Sequence, residues 1–590
     1  DRSSAASDVY KRQDDVEAVG LVKFDFLGLR NLTVIKAGID NINARLTAEG
    51  KTPLDLDDIP LDDSAVYDHL LKEAKTTAVF QLESAGMKKY LAKLRPTNID
   101  DVIAMCALYR PGPLNAGMVD MYINRKHGSE KVSYDHTLLE PILTSTYGVI
   151  VYQEQVMQIS QTLAGYTLGG ADMLRRAMGK KKPEEMAQQR SIFVAGAKAQ
   201  GIDAQLAEGV FNNMETFAEY GFNKSHSAAY GVLAYQTAYL KHYYPAEFLA
   251  AVLTSEMNNT DNVVFLIGDC KDNFGLTVLP PSVNNSQWHF VASDPTTVVY
   301  GLGAIKGVGE SAVESIVTAR RQGKFRDLYD FCNRVDIKKV GKRTLEALVK
   351  SGSFDDLAQS IAPDLVASNK PYNIRAGLWR QIPTAMQAAE QNRQNKESGT
   401  LDLFGEIDDG LSVAPALENV VWSDKERLTG EDATLGLYLT GHPIDEYKAE
   451  LQRYVKPVKL ADLRETGYQE SVWVAGLVRD VANFGNRVAV SLDDGSARIE
   501  SSCYADKFTH LKHKLTVGEV VLLKLSVRKH EERLFSNITH ALTVLEMRLQ
   551  FIQSLNVKVH KNDTKTLQAL LQTLTEQTAP NPHAEDDGRL

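Results

Sequence analysis

Residues 169–186 read GGADMLRRAMGKKKPEEM, and five of the eight positions from Arg175 to Lys182 are cationic. Apolar residues recur here at the spacing of one helix face: Leu168, Ala171, Leu174 and Met178. This pattern predicts a helix over Ala171–Met178 that buries the apolar face and ends at Gly179. Arg175 and Arg176 should then lie on the open side of that helix.

A second helix is predicted directly behind the first. Pro183 followed by two glutamates is typical of a first helical turn, so Lys180–Lys182 should lie in a tight junction between two helices. Guanidinium forks and ammonium groups suit a polyphosphate, whose charge must be neutralised as a leaving group departs. A solvated basic turn explains the same residues and stays open as an alternative. A Walker loop is excluded, because the two glycines of this stretch are too far apart and no serine or threonine follows the lysines.

Length and composition limit the class of protein. The chain has 590 residues, a formal net charge of −10 and 43% hydrophobic residues. At roughly 100–200 residues per domain we expect about three to five domains. There is no apolar run long enough for a membrane span and no secretory signal, so we expect a cytoplasmic protein with no membrane partner. The four cysteines lack CxxC spacing, which excludes a disulfide framework and a structural zinc site.

The sequence pattern changes along the chain. Residues 1–13 are polar and patternless, and are left out of the fold. Helical periodicity dominates from about Leu61 to Met257, and residues 291–355 indicate a short strand and two small helix pairs. Residues 356–430 are polar and rich in Gln and Asn, which predicts a partly flexible connector. Alternating segments at 471–545, separated by turn residues, predict a five-stranded barrel of the OB type.

A second polar group lies in the predicted helical region. Asn223, Lys224, Ser225 and His226 stand together between aromatic and small residues, ahead of a helix that Pro245 should end. Lys224 and His226 could bind a phosphate, and Tyr230 could stack on a base. An interhelical turn capped by Ser225 is the structural alternative.

The sequence GLGAIKGVGESAVESI predicts a helix-hairpin-helix motif. Gly307 and Gly309 fit the glycine pattern of a dinucleotide-binding loop, but the strand-to-helix context of that loop is missing. A tight hairpin over Ile305, Gly307, Val308 and Gly309 would instead offer backbone amides to a DNA phosphate. Residues 338–355 supply a second, weaker copy.

A carboxylate stands in an apolar setting near the N-terminus. Asp25 lies in KFDFLG at the end of a strand-like run, where an unpaired carboxylate is costly. It is a candidate Mg²⁺ ligand, although a turn cap is the alternative. One carboxylate alone cannot build a two-metal site.

Six sequence blocks in one order resemble a known family. They are GLVKFDFLGL, TAVFQLES, ALYRPGPL, YGVIVYQEQVMQIS, GYTLGGADMLRRAMGKKK and FNKSHSAAY. In this order they resemble the family C DNA polymerases, the alpha subunits of bacterial replicative DNA polymerase III. The resemblance runs from about Asp14 to the end of the chain.

The resemblance implies a multidomain α+β fold. The expected domains are an unmatched leader (1–13), the end of the palm (14–60), a large helical fingers domain (61–290), a helix-hairpin-helix module (291–365), a connector (366–465), an OB-fold barrel (466–545) and a truncated C-terminal domain (546–590). In the barrel we expect a surface for single-stranded template formed by Trp473, Phe484, Arg487 and Tyr504, although several of these residues could be barrel core.

The resemblance also implies the chemistry, which is addition of deoxynucleotides to a primer 3′ end with Mg²⁺. Asp25 would be a catalytic metal-binding aspartate. The residues implied to line the pocket of the incoming dNTP are Arg110, Arg175, Arg176, Lys180, Lys181, Lys182, Asn223, Lys224 and His226. Those implied to contact primer–template DNA are Lys306, Gly307, Val308 and Gly309.

The stretch TLDLFGE, residues 400–406, resembles the sliding-clamp motif of the family. Leu401, Asp402, Leu403 and Phe404 would dock into the clamp, with the two large apolar residues as anchors. Thr400 stands where the motif usually has Gln, which bears on clamp affinity. Packing of Leu403 and Phe404 on their own domain is the alternative. The site for the clamp-loader tau subunit is expected to be incomplete.

The family carries an Asp-x-Asp pair upstream of the matched segment, and no such pair precedes Asp25 here. We therefore expect a C-terminal portion of the enzyme that is inactive alone and lacks the proofreading-subunit site. A non-catalytic, clamp-tethered DNA-binding scaffold is the alternative function. A NAD-dependent DNA ligase is excluded, because its KxDG motif is absent.

Overall fold

The computed structural model describes residues 28–180, 183–218, 221–366, 370–397, 415–464, 469–530 and 533–551, together with 568, 569 and 572. The chain forms two compact units, the first ending at Gly441 and the second beginning at His442. Among the described residues, no helix combines the length and the apolar character that crossing a membrane requires.

The first unit is mainly helical. Its first helices are α1 (Arg30–Ala48), α2 (Ser64–Val66), α3 (Ala85–Leu94), α4 (Ile99–Leu108), α5 (Pro111–Asn115), α6 (Met118–Lys126), α7 (Glu140–Leu143), α8 (Gln153–Ala164), α9 (Leu168–Lys180), α10 (Pro183–Ala199), α11 (Ala204–Ala218), α12 (Lys224–Tyr243), α13 (Pro245–Glu256) and α14 (Thr260–Phe274). A π-helical turn over Tyr67–Leu71 continues α2, and 3₁₀ turns lie at Thr137–Leu139 and Thr144–Thr146.

These helices form two hydrophobic cores. Helices α8 to α11 enclose the smaller one, around Ile159, Leu174 and Phe211. The larger core extends from α1 through α12 and α13 to the end of the unit. Helix α12 is part of this larger core. Because Gly231 has no side chain, α12 can lie directly against Ile103 of α4. The predicted helical region is therefore confirmed.

Several predicted boundaries were wrong. Helix α9 continues past Gly179 to Lys180, so this glycine does not end it. Helix α12 begins at Lys224, with the Asn223 side chain accepting from the backbone N–H of His226, so Ser225 lies inside the helix and is not its cap. The predicted start of α10 at Pro183 is confirmed.

A small sheet and further helices complete the first unit. The strands are β1 (Thr277–Leu279), β2 (Val291–Asp294) and β3 (Thr297–Val299), in the order β1-β3-β2, with β1 parallel and β2 antiparallel to the central β3. The remaining helices are α15 (Glu310–Arg320), α16 (Leu328–Arg334), α17 (Lys342–Lys350), α18 (Ala358–Ile361), α19 (Arg375–Glu397) and α20 (Asp424–Leu435). Short 3₁₀ turns lie at Leu302–Ala304, Asp355–Leu357, Pro363–Val366 and Pro371–Ile374.

The predicted flexible connector contains a long helix. Helix α19 spans 23 residues of the Gln-rich and Asn-rich stretch, so the prediction from composition was wrong there. Apolar residues at helical spacing, including Leu378, Ile382 and Ala385, bury one face of α19 in the larger core. A polar sequence forms a stable helix where one apolar face is buried.

Buried charges join α19 to α20. The Arg375 guanidinium donates to Glu431 at 2.7 Å and to Asp355 at 2.6 Å, and both Arg375 and Glu431 are almost fully buried. The partly buried rings of Trp379 and Trp422, packed against the larger core, meet edge to face with centroids 6.0 Å apart. The Arg375–Glu431 ion pair and the Trp379–Trp422 contact thus hold together the two segments that flank residues 398–414.

The second unit contains a closed barrel of five strands. Its elements are α21 (Lys448–Tyr454), β4 (Gln469–Phe484), β5 (Arg487–Asp493), β6 (Arg498–Tyr504), α22 (Ala505–Leu511), β7 (Val520–His530), β8 (Arg533–Thr543) and α23 (Val544–Phe551), with 3₁₀ turns at Pro443–Glu446 and Asp462–Arg464. The strand order is β4-β5-β6-β8-β7, and β7 pairs back to β4. Alternating apolar residues fill the interior, as the sequence pattern predicts. The chain is therefore a multidomain α+β protein.

Candidate functional site

The segment before α12 docks on the start of α8. Tyr152 and Phe222 form a parallel β-bridge, in which the Phe222 amide donates to Val151 and the Gln153 amide donates to Phe222. The Gln153 side chain adds a hydrogen bond from Nε2 to the Gly221 carbonyl, at 3.2 Å. The polar group at 223–226 therefore has a fixed position relative to α8.

Glu154 completes this docking. Its two carboxylate oxygens accept from the Asn223 side-chain amide and from the Lys224 backbone N–H, each at 2.9 Å. The Lys224 ammonium lies over the Tyr152 ring, 5.4 Å from its centroid. A carboxylate near the start of a helix is favourable because the helix dipole places partial positive charge there.

Arg110 reaches the same place from α5. Its guanidinium packs on the Phe222 ring at 4.3 Å, and its Nε donates to the Ala107 carbonyl at 2.7 Å. Burial lowers the pKa of Arg110, because desolvation disfavours the charged form. The Phe222 ring also meets the His226 ring edge to face. The His226 ring in turn makes a tilted contact with the Tyr230 ring, with centroids 4.2 Å apart.

Helix α9 brings two further arginines. The Arg175 Nη1 donates to the Gln153 side chain at 3.1 Å, and Nη2 donates to Asp172 at 2.8 Å. Arg176 is paired with the same carboxylate and is two-thirds exposed. The hydrogen bonds from Arg175 and the charges of both arginines lower the pKa of Asp172, so this carboxylate is charged beside them at neutral pH.

The structure thus brings six of the predicted nucleotide-binding residues around the start of α8. We call them the basic cluster: Arg110, Arg175, Arg176, Asn223, Lys224 and His226. Lys180 is the last residue of α9, and Lys181 and Lys182 lie outside the described residues. The role of all nine residues in nucleotide binding stays a prediction.

Three residues that hold the cluster together were missed from the sequence. Gln153 contacts Arg175, Glu154 holds the start of α12, and Phe222 lies between Arg110 and His226. A polar Gln-Glu pair directly after the apolar run GVIVY was a usable signal, because it marks the first turn of a helix at the end of a buried segment.

The first predicted hairpin lies between the 3₁₀ turn at 302–304 and α15. Gly307 adopts a φ of 92°, which favours glycine, and its carbonyl accepts from the Thr344 hydroxyl of α17. The Lys306 amide donates to Thr434 of α20, and the Val308 amide to Ile305. Within the described chain, the exposed amides of Gly307 and Gly309 have no hydrogen-bond partner.

The second hairpin precedes α17 and is more basic. Its amides at 338–340 are bonded to Asp336, whereas the amide of Gly341 has no partner in the described part of the chain. Lys338, Lys339 and Lys342 are exposed around it. Each hairpin thus presents unpaired backbone N–H groups next to lysine, and DNA contact by Lys306, Gly307, Val308 and Gly309 stays a prediction.

In the barrel, three of the four predicted surface residues lie together. Phe484 and Arg487 are paired across the β4–β5 hairpin, and Arg487 is paired with Tyr504 and lies over its ring at 5.3 Å. Phe484 is 70% and Tyr504 60% exposed, so neither is barrel core. Trp473 lies near the other end of β4, against Lys524 and Phe551, and does not join them.

Two predicted sites cannot be located. Asp25 and the stretch Leu401, Asp402, Leu403 and Phe404 lie outside the described residues. Among the described residues, no three His, Cys, Asp or Glu side chains are grouped to hold a metal ion.

Comparison with known proteins matches two regions of the chain to family models. Residues 31–201 match the model of the bacterial DNA polymerase III alpha subunit finger domain, and residues 275–362 match that of the helix-hairpin-helix motif. The chain is 48% identical over 571 residues to the DNA polymerase III subunit alpha of Pseudomonas aeruginosa, covering 93% of this chain and 48% of that protein. The Vibrio cholerae protein of the same name is 50% identical over 524 residues, covering 87% of this chain and 44% of that protein.

The chain therefore spans about half the length of the curated relatives it matches. Among solved structures, a chain from a replication protein A heterotrimer bound to single-stranded DNA matches 20% of this chain, with 94% of that chain covered, at 15% identity and a TM-score of 0.14. That score is too low to inform the fold.

Proposed function

Because this chain belongs to the family of bacterial DNA polymerase III alpha subunits, we propose that it supplies nucleotide-binding and DNA-binding parts of a replicative DNA polymerase. The reaction is template-directed transfer of a deoxynucleoside monophosphate to a primer 3′ end, with release of pyrophosphate. The observation that carries this proposal is the convergence of Arg110, Arg175, Lys224 and His226 around the start of α8.

The basic cluster is suited to a triphosphate. Arg175 and Arg176 share one carboxylate, so the pair keeps a net positive charge in a partly exposed position. Guanidinium groups bind phosphate oxygens through two parallel hydrogen bonds, and Lys224 adds a point charge. The phosphates would lie between α9 and the start of α12, and Lys180, Lys181 and Lys182 are proposed as further phosphate ligands.

Mg²⁺ is the metal that this reaction would use. Asp25 is the proposed catalytic ligand, and its hard carboxylate oxygens are of the kind that Mg²⁺ prefers. Bound metal would neutralise charge on the transferring phosphoryl group and on the leaving pyrophosphate. The cationic side chains of the basic cluster would hold the triphosphate in line for attack.

The hairpins and the barrel are proposed to hold DNA. The free amides of Gly307, Gly309 and Gly341 would bind phosphates of the primer–template duplex, as is typical of helix-hairpin-helix motifs. The barrel is proposed to be an OB fold that binds the single-stranded template through Phe484, Arg487 and Tyr504. Exposed aromatic rings beside an arginine are suited to base stacking.

The proposed partners are those of a replicative polymerase. Residues 401–404 would bind a sliding clamp, and the C-terminal part of the chain would contact the clamp-loader tau subunit. Because the template would be chromosomal DNA, the proposed location is the cytoplasm.

Replacement of Arg176 by Ala tests the nucleotide site. In an active polymerase that includes this chain, Arg176→Ala should raise the KM for dATP by roughly tenfold to a hundredfold, since a charge-assisted hydrogen bond contributes about 1.5–3 kcal/mol. The affinity for primer–template should change little. The measurements are steady-state incorporation of dATP opposite thymine and DNA binding by fluorescence anisotropy.

Lys36→Ala is the matched control. Lys36 is also an exposed cation paired with an aspartate four residues away, on α1, and its loss should leave both quantities unchanged. Loss of DNA affinity with a normal KM for dATP in Arg176→Ala would show that the cluster binds template backbone and would contradict the proposal.

A further inference from the structure

Glu154 determines which way the Asn223 side chain faces. A carboxylate can only accept hydrogen bonds, so the Nδ2 group of Asn223 must point toward Glu154, at 2.9 Å. The Oδ1 atom then points the other way and accepts from the His226 amide at 2.8 Å. Through one amide group, Glu154 therefore completes the cap of α12.

The same carboxylate holds Lys224 directly. Its second oxygen accepts from the Lys224 backbone N–H at 2.9 Å, so both donors on Glu154 belong to the first residues of α12. Both donors are neutral amides, and no ion pair of Glu154 occurs within the described residues. Its bonds therefore fix the position of the helix start without neutralising a cation of the basic cluster.

The side chains that depend on this position are functional candidates. Lys224 extends over the Tyr152 ring, and His226 lies between Phe222 and Tyr230. Apart from these ring contacts, neither side chain is hydrogen-bonded or ion-paired to another described residue, so the position of the backbone that carries them decides where they reach. A change in the start of α12 would move both.

We propose that Glu154 is a positioning residue for the incoming nucleotide. It sets Lys224 and His226 at the triphosphate end of the basic cluster through the backbone of Lys224 and the amide of Asn223, without contacting the nucleotide. This inference rests on the proposed function of the cluster as a nucleotide site.

The test compares Glu154→Ala with Glu154→Gln in an active polymerase that includes this chain. Glu154→Ala removes both acceptors and should raise the KM for dATP by roughly tenfold to a hundredfold, because a displaced Lys224 would lose its charge-assisted hydrogen bond to the phosphates. Glu154→Gln keeps one acceptor oxygen and should recover part of the loss. The kcat, the affinity for primer–template and the Tm should change much less than the KM in both variants.

Glu208→Ala is the matched control, since Glu208 is an exposed glutamate on α11 of the same unit. It should leave the KM for dATP unchanged. A lower KM in either Glu154 variant would show that the carboxylate competes with the phosphates and would overturn the inference. Parallel losses in KM, DNA affinity and Tm would overturn it as well, because they would indicate a purely structural role.

Arg176→Ala separates this inference from the proposed function. If Arg176→Ala raises the KM for dATP and Glu154→Ala does not, positioning by Glu154 is wrong and the nucleotide site stands. If neither variant changes the KM, the basic cluster is not the nucleotide site and both proposals fail.

Discussion

At the residue scale, Gly231 links the candidate site to the core. It lies at the start of the third turn of α12, the helix that begins at Lys224 and carries His226. A Cβ built on Gly231 would lie 2.6 Å from Ile103 Cγ1 and 3.1 Å from the Ile103 Cα, closer than packed atoms allow. The position of α12, and with it that of the basic cluster, therefore requires a residue without a side chain at position 231.

Gly231→Ala should destabilise the first unit. Overpacking against backbone costs about 1–3 kcal/mol and outweighs the higher helix propensity of alanine, which is worth roughly 0.5–1 kcal/mol. The expected result is a lower Tm in calorimetry, together with a higher KM for dATP. Gly209→Ala is the control: Gly209 lies in α11 with open space around it, so alanine there should be neutral or stabilising. Equal Tm values for the two variants would contradict this account of α12.

Single residues also show where sequence reasoning reached its limit. Arg175, Asn223, Lys224 and His226, which the sequence predicts to bind phosphate, come together in the structure, and their role in phosphate binding stays a prediction. The sequence could not show that Glu154 and Phe222 organise this group, because the contact of Glu154 with Asn223 spans 69 residues and that of Phe222 with Arg110 spans a still longer stretch of chain. The Lys306 amide is a similar case, since it is bonded to Thr434 far along the chain.

At the element scale, the alternation of apolar and polar residues predicted the strands of the barrel, whereas the polar composition of residues 356–430 wrongly predicted a flexible segment at α19. The alternation at 471–545 gave a barrel, because alternate residues of a strand face its interior. Composition failed for α19, where few apolar residues at the right spacing were enough to bury one face. Of the small sheet, only the central strand β3 was predicted; β1 and β2, of three and four residues, were missed.

The surface formed by Phe484 of β4, Arg487 of β5 and Tyr504 of β6 should bind single-stranded DNA. Replacing both Phe484 and Tyr504 by Ala should weaken binding of an oligothymidine by roughly 2–6 kcal/mol, because each stacked base contributes about 1–3 kcal/mol. Duplex affinity should fall less. Fluorescence anisotropy with labelled single-stranded and duplex DNA measures both.

The control for this pair is the double variant Leu545→Ala and Leu549→Ala. These two leucines are equally exposed apolar residues of the same unit, on α23, and carry no predicted DNA role. Unchanged oligothymidine binding is expected for them. If the leucine variant loses as much affinity for oligothymidine as the aromatic variant, binding depends on exposed apolar surface in general and not on stacking of bases on Phe484 and Tyr504.

At the scale of the whole molecule, catalytic, DNA-binding and partner-binding parts are proposed to follow one another along the chain. The proposed nucleotide site and the two hairpins belong to the first unit, and the barrel has a hydrophobic core of its own in the second. In the sequence, the proposed clamp motif at 401–404 falls between α19 and α20, whose buried charges are paired. Clamp binding should therefore be separable from nucleotide binding.

Replacing both Leu403 and Phe404 by Ala should weaken binding to the sliding clamp by about 4 kcal/mol, since paired apolar anchors contribute roughly 2 kcal/mol or more each. The KM for dATP without clamp should not change. Surface plasmon resonance on immobilised clamp measures the affinity. Thr400→Gln is the complementary variant, because it restores the usual first residue of the motif and should tighten binding. An unchanged affinity of the double alanine variant would rule out this motif.

The edge-to-face pair of Trp379 and Trp422 makes this region visible to spectroscopy. The chain has four tryptophans, and these two meet at 6.0 Å on either side of the segment that carries the clamp motif. Indoles this close couple their electronic transitions, and the Lys350 ammonium over Trp379 at 4.5 Å adds a local field. Near-ultraviolet circular dichroism of the unlabelled protein can therefore report, during clamp binding, whether the two ends of that segment stay together.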